Sequence, residues 1–368
     1  PYMFVVLNHN LLLRIHEYIL SFYFLPMFLL YNTNFTIKGL IMKLFSKVIF
    51  ASSLALNLNA QIFSVFFEND VINGEDKHYT NGTYFTYLSD KDTNNISKYN
   101  NSFLDLISKI PTFNNDTKYQ TLGMTYSHLA FTPNNLDKKE KIIGDSPYAG
   151  VATLDFILYK WEENFFHEYV VTLGAVGPST NTDSFQKSFH DVIGSKDPKG
   201  WNNQLEDDFL YNFSYSYGYK AFNHDFSYGK MDLINNFRAD VGNYNRALMV
   251  GSMIRYGNNY PNNFNSVGKF IGVNENKLLN LDSKTNKDLG WSLSYGLGYS
   301  YTDYFYVTNH DKSYNLDEQK DSLMHVISWD TYLDKFVLSL SVKTSKVNLS
   351  NNYNERETWG GVNIAYLF

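Results

Sequence analysis

The chain has 368 residues, no cysteine, 31 basic against 37 acidic side chains for a formal net charge of −6, and 30 Tyr, 29 Phe and 5 Trp. The acidic balance excludes a nucleic-acid binder, and the absence of cysteine excludes thiolate metal sites, Fe–S clusters, a Cys nucleophile and a disulfide scaffold. Aromatic residues at 17% beside charged ones at 18% exclude disorder, and a mean hydropathy of −0.33 excludes a polytopic helical membrane protein; polar on average yet rich in Tyr and Phe is the balance of a transmembrane β-barrel, where every second residue faces lipid.

Residues 1–41 hold an apolar stretch, Ile19 to Tyr31, that Pro26 interrupts and that is too short to span a bilayer comfortably. They are read as an upstream extension. From Met42 the pattern is that of a secretory signal: Lys43 and Lys47 form a positive n-region, Val48 to Leu58 an apolar h-region, and Leu58-Asn59-Ala60 a cleavage site. The expected organisation is therefore 1–41 upstream, 42–60 signal peptide, and 61–368 a single barrel. The alternative for 42–60 is a retained internal anchor.

From Ile62 onward the sequence alternates with period two. Segments near 62–68, 80–88, 119–128, 149–160, 166–176, 207–221, 225–241, 246–257, 289–303, 321–333, 335–346 and 357–368 read as strands. The clearest face is Phe209, Tyr211, Phe213, Tyr215, Tyr217 and Tyr219, set against Asn212, Ser214, Ser216 and Gly218. Trp291 to Tyr301 repeats the pattern against Ser292, Ser294, Gly296 and Gly298. Twelve segments, an even number, predict an all-β, 12-stranded antiparallel up-and-down transmembrane β-barrel. Tyr215 and Leu297 should face lipid, Ser214 and Gly296 the lumen. The terminal Phe368, with Gly361, Ile364 and Tyr366, has the shape of the C-terminal signal read by the outer-membrane barrel-assembly machinery, an expected partner during biogenesis.

With both ends of the barrel domain in the periplasm, the connections 69–79, 129–148 and 177–206 converge on the outer rim, and 89–118 and 258–288 fall on the other. Helical periodicity stands out in Asn181 to Gly194, where Thr182 or Asp183 caps the start, Phe185, Phe189 and Val192 or Ile193 form a stripe, and Gln186 and His190 sit one turn apart. This predicts a short helix in an extracellular loop. The G-x-S-x-G elbow, H-E-x-x-H and Walker patterns are absent, and Asp70 to Asp76 fails the EF-hand spacing at Ile72. The convergent rim instead offers Glu68-Asn69-Asp70, Tyr79-Thr80-Asn81-Gly82, Asp145 and His190. Hard oxygens near one imidazole suit a calcium ion beside a general base, although Asn69-Asp70 and Asn81-Gly82 are also ordinary turn formers and a lone surface His is usually only solvated.

In chain order, Glu68-Asn69-Asp70, His78-Tyr79-Thr80-Asn81-Gly82, Asp145-Ser146-Pro147-Tyr148-Ala149-Gly150, Val176-Gly177-Pro178, His190 and Pro198-Lys199-Gly200-Trp201-Asn202-Asn203-Gln204 resemble the lipid A 3′-O-deacylases of Gram-negative outer membranes. The resemblance implies an integral outer-membrane barrel whose site, turned to the outer leaflet, lies between the wall and a loop helix. It also implies Ca2+-dependent hydrolysis of the 3′-linked acyloxyacyl group of lipid A in lipopolysaccharide. The family's functional residues fall on Asn69, Asp70, Thr80 and His190, with Asp70 and Asn69 toward the metal. The loop lysine falls on Lys138, with Lys139 and Lys141 as alternatives. Ser146 stands where relatives often carry Arg. A non-catalytic barrel, either a porin or a surface-interaction protein, is the alternative function.

Overall fold

The computed structural model describes residues 60–70, 78–89, 117–193, 197–269, 289–317, 320–346, 351 and 356–368. The expected upstream extension and the signal peptide up to Asn59 lie outside the described residues. Twelve strands form a closed barrel in which each pairs with its sequence neighbours and the first closes on the last. They are β1 Ala60–Asn69, β2 His78–Ser89, β3 Tyr119–Thr132, β4 Ala149–Trp161, β5 Phe165–Val176, β6 Asp208–Phe226, β7 Gly229–Gly242, β8 Asn245–Asn258, β9 Gly290–Phe305, β10 Asp321–Leu333, β11 Phe336–Ser345 and β12 Glu357–Leu367. All pairings are antiparallel; β1 meets β12 from Ile62↔Leu367 to Asn69↔Gly360. Among the described residues no helix is long and apolar enough to cross a membrane.

The period-two pattern sets the faces. Along β9, Ser292, Ser294, Gly296 and Gly298 are buried toward the lumen while Leu293, Tyr295, Leu297 and Tyr299 are exposed. Ser214 is likewise inside, donating to Asp240. One boundary expectation is corrected. The strands expected at 207–221 and 225–241 are really Asp208–Phe226 and Gly229–Gly242, with the turn at Ser227-Tyr228. The register slips between Lys220 and Phe222, and the extra residue of such a bulge breaks the alternation locally, which in sequence imitates a turn. Past the bulge Phe222 and Phe226 remain exposed.

The lumen is filled with paired charge. Arg238 bonds Asp240 at 2.8 Å, Arg255 bonds Asp232 at 2.6 Å, and Lys343 reaches Glu68 at 2.5 Å. Between β8 and β9 the chain turns inward through the short helix Asn265–Gly268. Its Phe264 packs on Phe166 of β5 at 5.0 Å, Asn263 accepts from Arg255 at 2.7 Å, and Lys269 meets Asp330 at 2.5 Å. Buried charges persist only when paired in this way. This end of the barrel, which also carries the start of β1 and the end of β12, is thus plugged. The opposite rim carries the connections 133–148 and 177–207 and is called the loop end below.

Candidate functional site

The connection between β5 and β6 begins with a 3-10 turn, Pro178–Thr180, and continues into helix α1, Thr182–Ile193. Asn181, in the left-handed conformation at φ 54°, links the two, and its carbonyl accepts from the Phe185 N–H at 3.2 Å. The helix is therefore entered at Asn181, one residue before the expected cap. The Thr182 hydroxyl is turned instead to His128 Nε2 of β3 at 2.9 Å. The Phe185 ring meets His128 edge-on at 5.2 Å. The side chains of Phe189, Val192 and Ile193 lie outside what is described.

Strand parity decides which side of the wall the helix occupies. Tyr79 and Phe131 line a lumenal cavity of about 250 Å³ together with Glu68, Arg238, Asp240 and Lys343, so the alternate residues of β3, His128, Ala130 and Thr132, point outward. Helix α1 accordingly lies on the barrel's outer surface. Gly150 of β4 makes the approach possible, since a Cβ there would stand 2.2 Å from Thr180 Oγ1 and 2.3 Å from Thr182 Oγ1. Buried Thr182, Gln186 and His190 follow one another at four-residue spacing and so form one stripe of the helix. The first of them is the residue held to the wall, and His190 itself is only 2% exposed.

The same outer face at the loop end collects the other candidates. The register slips between Tyr79 and Asn81, which inserts Thr80 into β2 as an unpaired residue. Thr80 shares a 2.7 Å hydrogen bond with outward-facing Thr132. Asn81 pairs with Ala130 of β3 and Asn69 of β1. Asn69, Thr80, Asn81 and Thr132 are therefore a polar patch on the outer wall, and all four are buried, as is Asp70 just past the end of β1. A bulge that re-aims one side chain is common beside active sites. Glu68 belongs to the same sequence motif but faces the lumen, where Lys343 neutralises it. Thr132 and Gln186 were not singled out as functional from the sequence, and Asn81 only as a member of the Tyr79-Thr80-Asn81-Gly82 run. The parity of β3 would have found Thr132, whereas the displacement of Thr80 depends on the bulge.

The patch offers only hard oxygens: one carboxylate, two amide carbonyls and two hydroxyls. Among the described residues no group of three His, Asp or Glu side chains comes together to hold a metal. Such a donor set suits calcium, which accepts backbone and water oxygens readily, and does not suit a soft transition metal. Residues 71–77, which complete the expected loop, lie outside the description.

The loop lysines separate into two kinds. Lys138 and Lys139 are exposed on the connection from β3 to β4. Lys141 is committed to Asp311 at 2.8 Å and lies over the Tyr314 ring at 3.7 Å. Burial pushes the Asp311 carboxyl up, but Lys141 and Ser313 outweigh it and hold the group at about 2. The connection itself is stitched to the one carrying α1: Lys199 N–H donates to Leu136 O and Leu205 N–H to Tyr148 O, each at 2.9 Å. His78, at a left-handed φ of 60°, opens β2. Its Nε2 donates to Asp145 at 3.0 Å and its Nδ1 to Glu357. Carboxylates on both ring nitrogens call for the imidazolium, which clamps Asp145 of the β3–β4 connection to the start of β12.

Residues 40–368 match the model of a family described as outer membrane protein LpxR. Among solved structures, LpxR from Salmonella typhimurium is similar over 83% of this chain and 100% of its own, at 15% identity and a TM-score of 0.64. The β domain of the Bordetella autotransporter BrkA aligns over 84% of this chain and 100% of its own, at 9% identity and a TM-score of 0.40. No curated protein matches the chain by sequence.

Proposed function

The chain belongs to the LpxR family of outer membrane proteins, and from that premise we propose that it is a lipid A deacylase, an outer-membrane hydrolase that removes the 3′-linked acyloxyacyl group from lipid A in lipopolysaccharide. The observation that carries this reading is the buried polar patch on the outside of the barrel, on the same wall to which a helix bearing a buried imidazole is tied. A substrate whose acyl chains lie in the bilayer reaches such a site laterally, without passing the lumen.

His190 acts as general base. Its imidazole takes a proton from water, and the water oxygen attacks the ester carbonyl directly or through a second water. The tetrahedral intermediate then expels the sugar 3-oxygen, which receives the proton back from the His190 imidazolium. The products are a free acyloxyacyl acid and a 3′-hydroxyl. Imidazole is the side chain whose charge changes nearest neutral pH, which suits it to both transfers. Thr80, held by Thr132, and Asn69 orient the reacting group. Lys138, exposed on the rim, meets a lipid A phosphate. Asp70 and Asn69, with the Thr80 oxygen, would hold a calcium ion, which would supply Lewis-acid stabilisation of the developing oxyanion. The site faces the outer leaflet.

A porin is disfavoured by the inward-folded Asn263 to Lys269 and the ion pairs that occupy the lumen. The test is deacylation of lipid A by the purified barrel in mixed micelles with and without a calcium chelator. Activity that vanishes on chelation and returns with calcium but not magnesium supports the reading, because magnesium demands a tighter octahedral shell. Full activity in chelator removes the metal from the mechanism. Inactivity under every condition, on lipid A bearing the 3′ group, removes the hydrolase.

A further inference from the structure

Two anchors of helix α1 stand out among the described residues. One is its first turn, where Thr182 and Phe185 meet His128 on the wall. The other is Gln186, whose Oε1 accepts from the Trp201 indole N–H at 2.8 Å. Gln186 is 3% exposed and Trp201 2%. A buried indole N–H stripped of its acceptor has no water to replace it, so this bond discriminates sharply between rotations of the helix that keep it and those that lose it.

Trp201 is itself tied to the barrel. Its ring lies 5.1 Å from that of Tyr148, the residue that leads into β4. The preceding Gly200 has no room for a side chain: a Cβ would stand 2.3 Å from Tyr148 Cε2. Gly200 also fits against the backbone of Lys138, whose carbonyl oxygen would be 3.0 Å from that Cβ. A rigid path therefore runs from β4 through Tyr148 and Trp201 to Gln186, and His190 follows one helical turn on.

We propose that Trp201 is a positioning residue: through Gln186 it sets the rotation of α1 about its own axis and with it the aim of the His190 imidazole. This rests on His190 being the base. Side-chain tips ride roughly 5–6 Å from a helix axis, so a roll of about 10° moves the imidazole by about 1 Å. A misplacement of about 1 Å can cost on the order of 100-fold in rate. The effect should fall on kcat, since Trp201 and Gln186 are buried and engaged with each other rather than open to substrate.

The experiment measures kcat and KM on lipid A in mixed micelles for Trp201→Phe, Gln186→Met, the double variant, Gln186→Glu and His190→Ala, each checked as a heat-modifiable folded barrel. Trp201→Phe keeps a ring and removes the donor; Gln186→Met keeps the length and removes the acceptor. Each should lower kcat about tenfold or more with KM within about twofold. The double variant should be no worse than the poorer single, because both break one bond. Gln186→Glu, which keeps an acceptor, should recover at least about half of kcat. Wild-type kcat in both single variants beside an inactive His190→Ala overturns the inference alone, and so do losses that multiply in the double variant. An active His190→Ala overturns the base reading and takes the inference with it.

Discussion

Two stretches of the same outer wall occupy equivalent positions in the strand pattern and have opposite chemistry. On β9 the outward residues are Leu293, Tyr295, Leu297 and Tyr299, and they are exposed, Tyr295 at 45% and Leu297 at 44%. At the loop end of β1 to β3 the outward residues are Asn69, Thr80, Asn81 and Thr132, and they are buried. A bilayer accepts the first set and penalises the second, because polar groups in hydrocarbon lose their water partners. The second set lies next to the place where a helix meets the outside of the wall, entered beside Gly150 and tied to His128. In a barrel, a buried polar outward face is therefore a candidate site, as a cleft is in a soluble enzyme.

The contrast is broken most forcefully by exchanging chemistry on each side. Asp70→Ala should lower deacylation by about 100-fold or more while leaving the heat-modifiable barrel intact, since the residue lies beyond the β1 ladder and carries the metal in the proposed site. Tyr295→Ala, on the lipid-facing stretch, should leave the rate within about twofold in the same assay. Comparable losses in both would erase the distinction between the two stretches.

The lipid-facing stretch has its own test in stability. Leu297→Arg should cost roughly 2–4 kcal/mol if the residue lies near the bilayer midplane, read as a lower denaturant midpoint for unfolding from vesicles. A smaller change follows at the helix entry. Gly150→Val places carbon within contact of Thr180 and Thr182 and should displace the first turn of α1, lowering kcat about tenfold without moving the unfolding midpoint; wild-type turnover would mean that α1 does not need this approach.

The alternation along β9 and β10 was legible in the sequence because it depends only on neighbours two residues apart, and it yields the barrel and its faces. The helix was legible from equally local spacing, three to four residues apart, in Phe185, Phe189 and Val192 or Ile193 and in Gln186 and His190. What the sequence concealed depends on register or on distant partners. The bulge at Thr80 changes which way one hydroxyl points, and the bulge after Lys220 disguises a continuous strand as a turn. Glu68 reads as part of the functional motif until Lys343, far along the chain, is seen to neutralise it in the lumen. Trp201 gains its meaning from Gln186 and Tyr148, which no local pattern connects to it.

The least consequential contact at the loop end should be the Lys141–Asp311 pair. Its carboxyl is held down to about 2 from an ordinary value of 3.8, so its contribution is complete above about pH 4 and fades as pH falls toward 2. Because both partners are partly exposed, the pair is worth less than about 1 kcal/mol. Lys141→Met should leave turnover between pH 5 and 8 unchanged; a loss of tenfold or more would move the functional lysine from Lys138 to Lys141.

The central claim is that the buried polar outer face, through His190, hydrolyses lipid A. Mass spectrometry of lipid A from cells producing the wild-type chain or His190→Ala tests it most directly, in a host whose lipid A carries a 3′ acyloxyacyl group. Wild type should yield lipid A lighter by that one group and His190→Ala the unmodified mass, with equal amounts of folded barrel in the two membranes. Identical spectra from the two strains, modified or not, would contradict it.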